Sequence, residues 1–311
     1  MKTLRLLFGT LVAATMLASC EADIIIADDF IDDTPITVNQ LLTSYDLWYV
    51  DINRTTGNGE VPFLQRAFTV SFDFGVFAAN NNLVGFGNTG NGLGIAVGDY
   101  NAYGDVVDID HDLYGFWRLE VFQVSFNEIR LYHRATNTSY YLEGYQRNNF
   151  DYDRLFYENI QYFIQEYEAW EKTFTSNFGA INEFDEENFL QFFTNGNSDI
   201  FRSSVDAAGT GINNLLWDYE GIYEVFNVQG DPFVKTLTLD YDFLGNDYFE
   251  LTVINDSTIE LFHPDSGTVY EFRGRGYTEY LKGKESKKRT KSTLRTMNVE
   301  RKSERKSVKI K

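Results

Sequence analysis

Little in this chain can cross-link, coordinate or span. One cysteine among 311 residues excludes an intrachain disulfide framework. Three histidines, His111, His133 and His263, have no second His or Cys at zinc-ligand spacing. With 27 basic against 46 acidic residues the net charge is −19, which repels phosphate and excludes a nucleic-acid binder in the main body. No apolar run reaches the ~20 residues of a membrane-spanning helix. The chain has no Gly-x-Ser-x-Gly, no His-Glu-x-x-His and no Cys/His pair. Gly92-Leu93-Gly94 with Gly98 lacks the lysine and the following helix of a phosphate loop, so turn and strand glycines account for it. These absences point away from an enzyme and from any cofactor. What is abundant is aromatic: 27 Phe and 20 Tyr with only four Pro favour strands and a sizeable core, and the length suits about two domains.

Lys2 and Arg5 precede an apolar run over residues 6–17, which ends in Leu17-Ala18-Ser19-Cys20. Twelve residues suit the apolar core of a secretion signal rather than a spanning helix. The last four resemble the lipobox of bacterial lipoproteins. That resemblance implies diacylglycerol on the Cys20 thiol, cleavage before it, and a mature chain held to membrane lipid by its acyl groups. Glu21, Asp23, Asp28, Asp29, Asp32 and Asp33 follow and resemble the surface-export signal of Bacteroidetes-type lipoproteins; a solvated acidic tether is the plainer account. The implied location is the outer membrane, lipid-anchored, facing either side.

Residues 47–145 read as eight short strands, at 47–53, 67–74, 83–86, 93–100, 105–110, 116–124, 128–133 and 138–145, separated by Gly- and Asn-rich turns. Eight strands in about a hundred residues imply a barrel or a sandwich. From Asp151 the period changes. Leu155, Phe156, Ile160, Phe163, Ile164, Tyr167, Trp170 and Phe174 recur at three- and four-residue spacing and predict one amphipathic helix over 151–174. A shorter helix is expected at 185–193 and a loop at 194–211, with strands resuming near Tyr219. The sequence thus divides into a signal peptide (1–19), an acidic tether (20–36), a β domain (37–148), a helical linker and loop (149–211), a shorter β meander domain (212–281) and a basic tail (282–311).

A shift of 130 positions aligns residues 120–144 with 250–274 without a gap. Seven pairs are identical: Glu120/Glu250, Ile129/Ile259, Leu131/Leu261, His133/His263, Thr138/Thr268, Tyr140/Tyr270 and Gly144/Gly274. This is a duplicated three-strand meander. Leu41-Leu42, Leu47-Trp48-Tyr49-Val50 and the late hairpin Ile129-Arg130-Leu131 with Tyr140-Tyr141-Leu142 resemble the lipocalin-like domains of Bacteroidetes lipoproteins. The resemblance implies a mainly β protein of two antiparallel lipocalin-like barrel or sandwich domains joined by an amphipathic helical segment. It also implies that Trp48 closes a barrel floor. Tyr45 or Asp46 stands where that family has glycine, and Leu215-Leu216-Trp217 offers a similar opening in the second region. The chain also resembles flavobacterial chains of which some carry a nicotinic acid mononucleotide adenylyltransferase label. That family requires His-x-Gly-His and Ser-x-Thr-x-x-Arg, and neither is here.

Asp108, Asp110 and Asp112 alternate and are followed by Gly115, a way to converge oxygens on calcium; the twelfth position is Leu119 rather than Glu, and a solvated strand face is the alternative. His133 and His263 end the inward side of matched strands, as ligand or metal contacts at a rim or as structural histidines. The tail from Lys282 holds 13 basic and three acidic residues, net +10, against 14 basic and 43 acidic, net −29, in the rest. Without apolar periodicity it is expected to be disordered. Together these readings describe a non-enzymatic envelope protein whose partner, besides membrane lipid through Cys20, is a small or polymeric ligand or an envelope protein.

Overall fold

The computed structural model describes residues 36–88, 90–243, 245–277, 288–292 and 294–297. Cys20, the signal and the tether lie outside these residues. The first barrel runs β1 (Leu47–Thr56), β2 (Thr69–Asp73), β3 (Val76–Asn80), β4 (Ile95–Tyr103), β5 (Val106–His111), β6 (Gly115–Ser125), β7 (Glu128–His133) and β8 (Thr138–Tyr145), closed by β8 on β1. The second runs β9 (Tyr167–Thr175), β10 (Phe189–Asn195), β11 (Ser198–Ser204), β12 (Tyr219–Val228), β13 (Asp231–Tyr241), β14 (Gly245–Asn255), β15 (Thr258–His263) and β16 (Thr268–Tyr277), closed by β16 on β9. Each strand pairs antiparallel with the next. The chain is two eight-stranded up-and-down barrels of lipocalin-like form, and the sandwich alternative falls away.

Residues 149–211 are not a linker. The single helix expected at 151–174 is two short ones, α2 (Tyr152–Glu158) and α3 (Ile160–Ile164), separated at Asn159, and from Tyr167 the chain is already β9. Ala169, Trp170 and Glu171 of β9 are buried in succession, so the period-two alternation is erased there, and Tyr167, Trp170 and Phe174 imitate a helical stripe. The expected helix at 185–193 is a single 3-10 turn, Glu183–Glu186, with an Asn182/Asp185 capping box, leading into β10. The expected loop at 194–211 contains β11. The second domain is therefore a barrel of full size rather than a shorter meander.

In the first barrel the strand expected at 83–86 is a 3-10 turn, Leu83–Gly85, and the eighth strand is β3 instead. Phe74 and Gly75 both have positive φ (45° and 85°) between the paired Asp73 and Val76, the geometry of a type I′ hairpin. Asn-Gly is the usual sequence there; Phe-Gly concealed the turn.

The floors are built alike. α1 (Val38–Leu42) leads into β1, where Trp48 is fully buried, meets Tyr45 edge-on at 5.1 Å and donates its indole N–H to Leu42 O at 2.9 Å. α3 leads into β9, where Trp170 is fully buried, meets Tyr167 edge-on at 4.7 Å and donates to Ile164 O at 2.8 Å. The counterpart of Trp48 is thus Trp170. Trp217 stands in the β11–β12 connection, half-buried, beside the exposed Leu216.

The first barrel's interior is a closed cluster that includes Trp48, Val50, Phe72, Phe77, Ile109, Leu119 and Leu131. The second barrel's interior belongs to a larger cluster. It extends through Phe156, Ile160 and Phe163 of the helical joint to Leu47, Tyr49, Phe68 and Phe86 on the outside of the first barrel. Each such side chain contributes about 1.5–3 kcal/mol by burial, enough to fix the two barrels on the joint.

The described part of the basic tail is ordered, contrary to expectation. Arg289 is 1% exposed, with its guanidinium 4.4 Å from the Phe68 ring centroid. It donates to Val50 O at 2.8 Å, Ala67 O at 2.5 Å and Asn159 Oδ1 at 3.2 Å. Downstream, β17 (Thr296–Met297) pairs in parallel with β12 at Asn227 and Val228. Charge, not apolar periodicity, holds this segment: carbonyl oxygens left open at a strand edge accept from one buried arginine.

Candidate functional site

The two barrels diverge at the ends opposite their floors. In the first, the connection from β1 to β2 folds over the opening. Phe63 stacks on His111 at 5.1 Å and meets Trp117 edge-on at 6.1 Å, while Trp117 packs against His133 at 4.9 Å. Tyr140 holds this plug, its hydroxyl donating to Gln65 Oε1 (2.9 Å) and accepting from Val61 N–H (3.1 Å).

In the second barrel the matching tyrosine, Tyr270, likewise holds the connection from β9 to β10: its hydroxyl donates to Asp185 Oδ1 (2.7 Å) and accepts from Asn182 Nδ2 (2.8 Å). The plugging ring, Phe184, packs on Phe249 at 4.6 Å and Tyr270 at 5.0 Å. Phe249 lies one inward position further along its strand than Asp247. Above Phe184 the mouth is hollow, a cavity of about 590 Å³.

Strand register shows what stands at the positions around Phe184 that are filled or neutral in the first barrel. Tyr241 pairs with Gly245 as His111 pairs with Gly115, so Tyr241 takes the place of His111 and Asp247 that of Trp117. Lys172 N–H donates to Asn188 O (2.8 Å) as Val50 N–H does to Phe68 O (2.9 Å), so Glu187 takes the place of Ala67. Three plugging or neutral positions have become acid, phenol and acid.

Tyr241 lies between the two acids. Its hydroxyl is within hydrogen-bond distance of both Glu187 carboxylate oxygens, at 2.9 and 3.0 Å, and it also reaches Asp247. Glu187 is 4% exposed. Burial pushes its carboxyl up to about 7, with repulsion from Asp247 adding and the hydroxyls of Ser203 and Tyr241 and the Lys172 ammonium opposing. Burial also raises Asp247, aided by Glu183 and Asp265 and opposed by His263 and Tyr241. Ser203, fully buried beside Glu187, has no well-formed hydrogen bond of its own.

Of the residues singled out by sequence, His263 reaches this site, its Nε2 3.7 Å from Asp247 Oδ1. His133 does not; it belongs to the filled mouth. Both make the same local bond, Nδ1 to Thr136 Oγ1 and to Ser266 Oγ, each at 2.8 Å, which ties the β7–β8 and β15–β16 turns. Ser266 Oγ lies in turn 2.8 Å from Thr268 Oγ1.

Asp108, Asp110 and Asp112 form no calcium loop. Asp108 accepts from Arg118 Nε at 2.7 Å and Nη2 at 2.8 Å, an ion pair across β5 and β6 that lowers its carboxyl. Among the described residues no group of three His, Cys, Asp or Glu is arranged to hold a metal.

Glu187, Tyr241 and Asp247 escaped sequence reading. The signal was present: the 130-residue shift extends back to Gly115/Gly245, which sets Trp117 against Asp247 and His111 against Tyr241. No family model matches the chain. No curated protein is similar to it in sequence. Fold and site therefore define it as a double barrel with one filled mouth and one hollow one.

Proposed function

We propose that this is a non-enzymatic, lipid-anchored protein of the outer membrane, held by acylated Cys20, that binds a small ligand or a segment of a polymer in the mouth of its second barrel. The hollow mouth carries the reading. Eight-stranded barrels are just wide enough for side chains to fill, as in the first barrel, and here three positions depart from that solution together. A concave site in which polar groups converge beside aromatic side chains, here Glu187 and Asp247 beside Tyr219 and Tyr241, is a form that ligand pockets take. The lipobox-like Leu17-Ala18-Ser19-Cys20 supports the anchor, and no described helix is long and apolar enough to cross a membrane.

A thermal-shift screen of amphiphiles, oligosaccharides and short peptides against wild type and Asp247→Trp tests the site. Compounds that raise the wild-type melting temperature are expected to leave the plugged variant unmoved. Equal shifts in both would place binding elsewhere. For the anchor, Cys20→Ala is expected to lose labelled acyl chains and to leave the membrane fraction; unchanged partition removes that part of the proposal.

The second reading, a partner-binding surface component, is favoured by Phe74 and Phe126, which are 97% and 88% exposed at hairpin turns on the floor end of the first barrel.

A further inference from the structure

We propose that the mouth of the second barrel receives a primary ammonium carried on an aliphatic stem. This rests on reading that mouth as a ligand site and names the chemistry it recognises.

The cavity lining supplies carboxylates from Glu183, Glu186, Glu187 and Asp247, and among the described residues no Lys or Arg lines it. Hydrogen-bond capacity is short on one side only. The Tyr241 hydroxyl has one proton for two carboxylates. His263 Nε2 stands 3.7 Å from Asp247 Oδ1, too long for a hydrogen bond. Lys172, whose ammonium acts on Glu187, does not line the cavity and donates to Asp185 O at 2.6 Å. The site is therefore rich in acceptors and poor in donors, in a place where an ionised carboxylate is costly unless paired. An ammonium brings three donors and the compensating charge. Tyr219 and Tyr241 line the same cavity, and aromatic rings attract cations.

The rim argues for the stem. Ile181, Phe243 and Leu216 stand on three of the four connections around the mouth at 97%, 95% and 70% exposure. Apolar residues set above an acidic base match a cationic head on a hydrocarbon chain, in which stem and head are desolvated by different parts of the site. The first barrel lacks this combination, because Trp117 and His111 fill the corresponding space. A divalent metal fits less well, since no described group of three His, Cys, Asp or Glu is arranged to hold one.

Two sources carry this chemistry, a free alkylamine and a lysine side chain, and titration calorimetry on the full chain at pH 8 separates them. The probes are n-hexylammonium, 1-hexanol and hexanoate as charged, neutral and anionic isosteres, and the blocked peptide Ala-Leu-Lys-Leu-Ala. Hexylammonium or the peptide is expected to bind about tenfold or more tighter than hexanol, and hexanoate weakest. Whichever cation binds tighter identifies the source. Glu187→Gln and Asp247→Asn, both still folded by melting curve, are each expected to weaken the cation about tenfold while leaving hexanol unchanged. Hexanol or hexanoate matching the ammonium, or no cation binding to wild type, overturns the ammonium assignment. Cation binding undiminished in Asp247→Trp overturns the mouth as the site.

Discussion

Trp48 and Trp170 close the floors of the two barrels with the same indole hydrogen bond to a carbonyl six residues earlier. At the far ends, Trp117 and Asp247 share one position in the fold and do opposite things. The contrast separates what a barrel of this size requires from what it tolerates. A floor must be sealed, because the interior is continuous with it and an unfilled ring position there leaves a cavity of about a methyl group or more in the core. A mouth borders solvent, so aromatic filling and an acidic hollow are both foldable. The hollow is the less stable choice, since Glu187 and Asp247 are partly desolvated with their charges poorly matched. An arrangement that opposes folding, placed in a cavity, is a mark of function rather than of packing.

The largest effects test the floors. Trp48→Ala and Trp170→Ala are each expected to cost about 3–5 kcal/mol in denaturant titrations. A loss below about 1 kcal/mol in either would break the equivalence between Leu42–Trp48 and Ile164–Trp170.

Next is the buried arginine, which ties the first barrel to the helical joint. Arg289→Met is expected to lose about 2–3 kcal/mol, because Val50 O and Ala67 O forfeit their donor while the aliphatic volume is kept. Removing residues 282–311 should then lower the melting temperature by several degrees. Identical melting curves for wild type and both variants would show that the segment is not structural.

The mouths come third. The folded-state carboxyl of Glu187, at about 7, lies above its ordinary 4.5. Its protonated form is the favoured one. The associated stability is fully present below about 4.5 and is lost as pH rises through about 7. Glu187→Gln keeps the neutral state at every pH, so it is expected to stabilise the protein at pH 8 by about 2–3 kcal/mol and to have little effect at pH 4. A variant less stable than wild type at pH 8 would mean that the carboxylate is paired in the folded protein.

The smallest effect concerns the outer wall. Asp108→Asn breaks an exposed pair with Arg118 and is expected to leave the melting temperature within error. Calcium should not shift the melting temperature of either form; a calcium-dependent rise confined to wild type would restore the Asp108, Asp110 and Asp112 site.

Local pattern carried much of the fold. Strands exposed on one face and buried on the other, such as Glu128–His133 and Thr138–Tyr145, alternate visibly, and Trp48 announced a floor. The duplication was legible as well, through residues such as Tyr140/Tyr270 and His133/His263 that hold matching turns. Strands with successive residues buried lose their period, and so Tyr167–Thr175 passed for the end of a helix. With it went Trp170, the true partner of Trp48, and the closure of the second barrel. Arg289 also read as part of a solvated charge run, since the carbonyls that accept from it lie more than two hundred residues away in sequence.

The amino-acid sequence by itself determined that the protein is β-rich, duplicated and built around aromatic floors, because these follow from local periodicity and composition. Only the tertiary structure decided which mouth is filled and which is hollow. That outcome depends on Glu187, Tyr241 and Asp247 meeting from three different segments, and the free energy of a carboxylate is set by what surrounds it in space rather than by its neighbours in the chain.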